Sequence, residues 1–195
     1  NQIALTARFV SAENIDIQQA AVTSALAAIR ASGHIYPQSD TLDISFSANV
    51  EDLAATLPAS DGQHVAGRVA ATGTVTGAFG EPRVDVTLNG ENVSFNKARA
   101  EAVSGDFVLV QGETMQFSGK GTTTNVAYGE AFAEEQLAWA FETEFGAGDT
   151  VVVETLSIEG RGLSVAGSGR YEGEAKAAKF DLTANVQELA NLTDG

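Results

Sequence analysis

Apolar and polar residues alternate along most of the chain with a period of two, the pattern of strands that have one buried and one solvated face. The residues between the apolar positions are mostly Thr, Ser, Asp, Glu, Arg or Gly. Helix signals are few and short, at residues 50–57 and 130–137. The clearest apolar rows are Leu42, Ile44, Phe46, Ala48 and Val50; Val84, Val86 and Leu88; and Phe180, Leu182, Ala184 and Val186. The pattern predicts an all-β protein with few short helical turns.

Glycines interrupt these rows at many positions, and we expect them at turns, bulges or close backbone approaches. The segment Gly119-Lys-Gly121 is followed by three threonines, but it lacks the residue order and the strand–loop–helix context of a phosphate-binding loop. We interpret it as a turn.

The beginning of the chain recurs at its end, at an offset of 136 without a gap. Residues 46–54 (FSANVEDLA) match residues 182–190 (LTANVQELA), and the apolar phase is kept over more than fifty residues. We interpret residues 1–60 as the C-terminal part of one repeat unit and residues 61–195 as the next unit, in which 139–195 repeat 3–59. The chain is therefore expected to be one continuous fragment of a longer repeat protein whose core continues from unit to unit.

The apolar rows are too many for the few candidate helices to cover. They can stay open, as an elongated trough of U-shaped cross-section with an apolar interior, or close on each other as a β-sandwich, barrel or solenoid. The alternation itself is the same in both cases, so it leaves both architectures open.

The composition excludes several classes of function. With 11 Lys+Arg against 26 Asp+Glu, the formal net charge is −15, the opposite of the basic footprint that nucleic acid requires. The chain has no cysteine, which excludes disulfides, thiolate metal sites and cysteine nucleophiles. No apolar run approaches the roughly 20 residues that span a bilayer. The chain begins at Asn1 in mid-pattern, so a targeting or membrane segment is expected outside it.

Candidate catalytic chemistry is sparse. His34 and His64 are the only histidines, and neither has a neighbour at metal-ligand spacing. No G-x-S-x-G nucleophile elbow occurs. A carboxylate pair that meets only in space stays open, but no pair stands out. The sequence predicts a protein that is not an enzyme and has no catalytic residues, metal or cofactor.

Residues 64–95 resemble the recurring element of the TamB family, which belongs to the AsmA-like, bridge-like lipid transfer superfamily. The element is a glycine–valine pattern followed by a proline and an alternating strand, carried here by Gly67, Val69, Gly73, Val75, Gly77, Pro82, Val84, Val86 and Leu88. The resemblance implies a periplasmic protein, anchored in the bacterial inner membrane outside this segment, that partners an Omp85-type (TamA-like) outer-membrane barrel. It also implies an open β-trough with a role in lipid transport, outer-membrane biogenesis and protein secretion, without catalytic residues.

These observations predict a conduit or assembly factor that passes phospholipid, or an outer-membrane protein substrate, along an apolar groove. The open edges of an isolated trough predict self-association. The alternative is a structural or adhesive β-repeat module with a closed core. The residues predicted to line the groove are Leu42, Ile44, Phe46, Val84, Val86, Leu88, Phe107, Leu109, Phe117, Trp139, Phe141, Phe145, Val165, Phe180 and Leu182.

Overall fold

The computed structural model describes residues 2–11, 13–56, 64–130 and 132–186. They form one antiparallel sheet of twelve strands, in which the order across the sheet is the order along the chain. The strands are β1 (Gln2–Ser11), β2 (Asn14–Thr23), β3 (Ala27–Tyr36), β4 (Thr41–Val50), β5 (Val65–Ala78), β6 (Glu81–Phe95), β7 (Ala98–Gln111), β8 (Met115–Tyr128), β9 (Phe132–Gly146), β10 (Thr150–Gly160), β11 (Leu163–Glu172) and β12 (Ala177–Val186), and the helix α1 (Leu53–Thr56) follows β4.

The sheet is open. β1 and β12 each pair with one neighbour only, so they form its two edges. The expected open all-β sheet is confirmed, and the closed sandwich or solenoid, which the alternation allowed equally, is wrong. The physical reason is local: every pair of successive strands forms its own hairpin, so no strand returns to cover or close the sheet.

The molecule has almost no conventional core. Its accessible surface is 12827 Å², against about 8800 Å² for a compact protein of this size. Within the described ranges the only buried apolar side chain belongs to Ala127, which is 7% exposed. Stability must therefore come from ladder hydrogen bonds and from side-chain pairs on neighbouring strands, each worth about 0.2–1 kcal/mol.

The two predicted helical turns have different outcomes. In 50–57 a single turn forms as α1, and the Asp52 carboxylate caps it by accepting a hydrogen bond from the Ala55 backbone N–H at 3.2 Å. The prediction at 130–137 is wrong, because β9 begins at Phe132 and its side chains pair with those of β8.

Strand bounds recur at the offset seen in the sequence. β3 and β11 begin at 27 and 163 and end at 36 and 172, and β4 and β12 begin at 41 and 177 and end at 50 and 186. A bulge recurs as well: one residue is skipped in the pairing at Gln18 of β2 and at Glu154 of β10. The two ends of the chain thus share strand lengths and an irregularity of register.

Candidate functional site: one uncovered apolar face

Residues directly opposite each other in an antiparallel sheet point to the same side. The register between β4 and β12 brings three adjacent rows to one side, which we call the apolar face. It contains no charged residue, and Thr143 is its only polar residue. The rows are Phe46–Gly73–Val86–Phe107–Gly119–Phe141–Leu156–Gly167–Leu182, Ile44–Val75–Val84–Leu109–Phe117–Thr143–Val153–Gly169–Phe180 and Ala48–Ala71–Leu88–Gly105–Gly121–Trp139–Ile158–Val165–Ala184.

All fifteen residues predicted to line the groove lie on this side of the sheet. Thirteen are in the three rows. Leu42, opposite Gly77, and Phe145, opposite Met115, lie in the flanking row on the same side. Nine strands spaced at about 4.8 Å give the apolar face a length of about 38 Å, and its three rows span about 13 Å.

Leu156 and Ile158 also belong to the apolar face, although strict alternation from Val151 and Val153 would put them on the opposite side. The bulge at Glu154 corrects the phase, so that Val153 and Leu156 point the same way. The sequence carried a signal for this, because the apolar positions change from odd to even numbers at Glu154. The same change of phase occurs between Ile17 and Ala20.

Glycines inside the strands make room for the large side chains. A Cβ on Gly119 would meet Phe107 Cδ1 at 2.7 Å and Phe141 Cε1 at 2.8 Å, and one on Gly73 would meet Phe46 Cζ at 2.8 Å. The interpretation of Gly119-Lys-Gly121 as a turn is wrong, since both glycines lie in the middle of β8. Aromatic rings from β7 and β9 lean over this strand, which requires residues without side chains.

The rings meet above β8 in an aromatic cluster of Phe107, Phe117, Trp139 and Phe141. Ring centroids are 5.1 Å apart for Phe117 and Phe141, and 5.5 Å for Phe107 and Trp139, the range in which aromatic pairs stabilise one another. The Trp139 indole N–H donates to Thr123 Oγ1 at 3.1 Å. The cluster therefore forms a smooth, hydrogen-bond-satisfied apolar surface in the middle of the sheet.

The opposite side of the sheet, which we call the polar face, carries most of the charged and hydroxyl side chains. Arg83 and Asp85 form an ion pair at 2.7 Å, and this hydrogen-bonded partner raises the pKa of Arg83. Thr87 donates to Asp106 at 2.7 Å. The ion pairs Arg68–Glu91 and Arg170–Glu172 are also on this face, as is a 3.8 Å contact between the side chains of His34 and Asp16.

Nothing in the described ranges covers the apolar face. Extensive contacts between elements occur only between strands adjacent in sequence, with α1 placed beside β5. The large apolar residues of the three rows from β4 to β10 are half-buried by one another, whereas Phe180 and Leu182 on β12 are 51% and 64% exposed. A cavity of about 550 Å³ in the middle of the sheet is lined mainly by residues of the polar face, among them Thr72, Asp85 and Asp106.

Metal ligands do not cluster in the residues that the structure describes. They contain no group of three or more His, Asp or Glu side chains placed to hold a metal ion. His34 and His64 are far apart in the sheet, and the His64 backbone N–H donates to Asn96 Oδ1 at 3.0 Å in the turn between β6 and β7. The four-residue α1, the one helix of the described residues, does not have the length of apolar helix needed to cross a membrane.

Fold and site together define an open antiparallel meander with one continuous, uncovered apolar face. No protein-family model, curated protein or solved structure matches this chain.

Proposed function

We propose that this chain is part of a non-enzymatic conduit in the bacterial periplasm, which passes phospholipid along the apolar face between the inner and the outer membrane. The observation that carries the proposal is the apolar face itself: three rows across nine strands without a charged side chain and without a covering layer. Exposed apolar patches of this extent are typical of binding surfaces.

Without such a surface, the free-energy cost of moving a phospholipid through water is large. Exposing one methylene to water costs about 0.8 kcal/mol, so two acyl chains with about 30 methylenes face a gross barrier on the order of 20 kcal/mol in open water. The continuous apolar face removes most of that cost along the route. Because the sheet is open, the headgroup can remain hydrated while the acyl chains lie against the apolar face.

An unfolded outer-membrane protein is the other cargo that the resemblance to the TamB family suggests. Its backbone N–H and C=O groups need hydrogen-bond partners when they leave water, and across the three rows only Thr143 has a polar side chain. The apolar face therefore favours acyl chains over polypeptide. The same resemblance supplies the expected setting: an inner-membrane anchor elsewhere in the protein and an Omp85-type barrel as partner.

A structural or adhesive module was the alternative. That role rested on a closed core, and the described sheet has an accessible surface well above that of a compact protein. No observation favours it specifically.

Leu88 and Thr87 offer a matched test, because they are adjacent in β6 and point to opposite sides of the sheet. A photo-crosslinking side chain replaces each in turn, and the protein is exposed to phosphatidylethanolamine, whose zwitterionic headgroup avoids repulsion from the net charge of −15. We expect the adduct at position 88 to exceed that at 87 by at least about tenfold, and Phe46 to behave as Leu88 does. Equal labelling at 87 and 88 would contradict the proposal.

Trp139 gives an independent measurement, since it is the only tryptophan and lies on the apolar face. Brominated phosphatidylethanolamine should quench its fluorescence. Phe141→Asp should weaken the quenching by at least about tenfold, whereas Ala140→Asp, on the polar face of the same strand, should leave it unchanged. Absence of quenching in the unmodified chain, or equal loss in both variants, would exclude lipid from this face.

A further inference from the structure

The free edge of β12 corresponds to an edge that is occupied elsewhere in the same sheet. β12 lies 136 residues after β4, with the same length and bounds at that offset. β4 pairs with β3 over ten residue pairs without a bulge, and β12 pairs with β11 in the same way. The other side of β4 is bound by β5, whereas the other side of β12 has no partner in the sheet.

The pairing of β5 with β4 shows which kind of strand binds to an edge of this type. β5 pairs with β4 over ten residue pairs, from Thr41 opposite Ala78 to Val50 opposite Val69, without a register shift. Gly73 stands opposite Phe46, where a Cβ would meet the ring at 2.8 Å. On the apolar side β5 therefore fits β4 with Gly73 opposite Phe46 and Val75 opposite Ile44, and on the polar side it carries threonines.

The C-terminal part of β12 preserves the residues that β4 presents, whereas the N-terminal part differs, with Lys179 in the place of Asp43. Ala-Asn-Val at 48–50 recurs as Ala-Asn-Val at 184–186, and Phe46 is replaced by Leu182. All ten residues of β12 are exposed. Phe46 on β4 is half-buried, whereas Leu182 is 64% exposed. β12 thus has the same length and the same pairing with its preceding strand as β4. Its second edge, however, is exposed, whereas that of β4 is paired with β5.

We infer that the free edge of β12 is a binding site for an extended polypeptide strand of the β5 type, with glycine opposite Leu182, valine opposite Phe180 and threonine facing water. The strand binds antiparallel, with its Gly73-equivalent opposite Leu182 and its Val69-equivalent opposite Val186. Main-chain hydrogen bonds supply affinity and the alternating small side chains supply specificity, as in other cases of strand addition. On the polar face its threonine hydroxyl lies beside Asp181. The inference concerns a polypeptide partner at the sheet edge and goes beyond lipid binding on the apolar face.

The test uses the full 195-residue chain, which contains no cysteine, carrying Leu182→Cys. A synthetic peptide of residues 65–78 is prepared in three forms: Gly73→Cys at the expected register, Gly77→Cys on the same side but four residues away, and Thr72→Cys on the opposite side. In a glutathione redox buffer with peptide in excess, we expect the Gly73→Cys peptide to form at least about ten times more mixed disulfide than either control.

A second measurement avoids cysteine chemistry. The unmodified peptide with an N-terminal fluorophore should bind the unmodified chain with saturable anisotropy, and a peptide of the same composition in scrambled order should compete at least about tenfold less well. Equal disulfide yields at the three positions, equal competition by the scrambled peptide, or no binding up to about millimolar peptide would overturn the inference. A cross-linked protein dimer formed in place of the peptide adduct would assign the edge to a second copy and would also overturn it. Neither measurement involves lipid, so its result is independent of the proposed conduit.

Discussion

The Trp139 indole on β9 reaches across β8 to Gly105 on β7, so that its Cη2 atom lies 2.6 Å from the place a Cβ on Gly105 would occupy. Between them, Gly121 of β8 is in register with both residues. The largest side chain of the sheet therefore lies flat over two glycines. Large residues next to glycines, rather than a second layer, make the apolar face continuous.

Filling one of these gaps should destabilise the sheet. In Gly119→Val the new side chain would displace the Phe107 and Phe141 rings, and overpacking of this kind costs about 1–3 kcal/mol. Urea unfolding followed by Trp139 fluorescence measures the change in the free energy of unfolding. Gly80→Ala is the control, because a Cβ on Gly80 meets nothing within 4 Å, and we expect a change within about 0.5 kcal/mol. Equal effects of both substitutions would mean that the rings do not depend on the glycine.

Two single-residue deletions in β10, one at the bulge and one in the regular pairing, should differ in their effect on the free energy of unfolding. Removing Glu154 leaves Val153, Thr155 and Leu156 opposite their present partners in β9 and in register with β11, so both faces are preserved. We expect this deletion to change the free energy of unfolding by less than about 1 kcal/mol.

Removing Ser157 is the matched deletion, and it should be worse by about 2 kcal/mol or more. It turns Ile158 to the polar face, because a one-residue slip exchanges the two faces of a strand, and exposing an apolar side chain of this size costs about 1.5–3 kcal/mol. Chemical denaturation of both deletions provides the comparison. If the deletion of Glu154 proved the more damaging of the two, the bulge would have a structural role beyond correcting the phase.

Self-association should depend on the apolar face near the edge of the sheet. Phe180 is 51% exposed, and we expect the chain to form dimers as its concentration rises, with apolar faces in contact. Phe180→Asp should raise the dimer dissociation constant by at least about fivefold in sedimentation equilibrium. Thr183→Asp adds the same charge to the polar face of the same strand and should have no such effect. A strictly monomeric chain at high concentration would show that the exposed face does not drive association.

The sequence pattern predicted most of the strands and which of their residues share a face, but it placed a helical turn at 130–137, where β9 begins. Period-two alternation identified every residue of the predicted groove as a member of one side, and the change of phase at Glu154 was already visible in the spacing of Val153 and Leu156. Gly119 and Gly121 were misplaced, since a glycine in a strand has the same local signature as a glycine in a turn. Only the register with β7 and β9 shows that rings lie over them.

The sequence by itself determined which residues share a face, because side-chain direction alternates with every residue of an extended chain. Only the tertiary structure decided that this face is open. Alternation is satisfied equally by a sheet that closes on itself and by one that does not, and the difference depends on which strands pair. Here each strand pairs with its sequence neighbours alone, which leaves the rows around Phe107 and Trp139 half-buried by one another and uncovered from above.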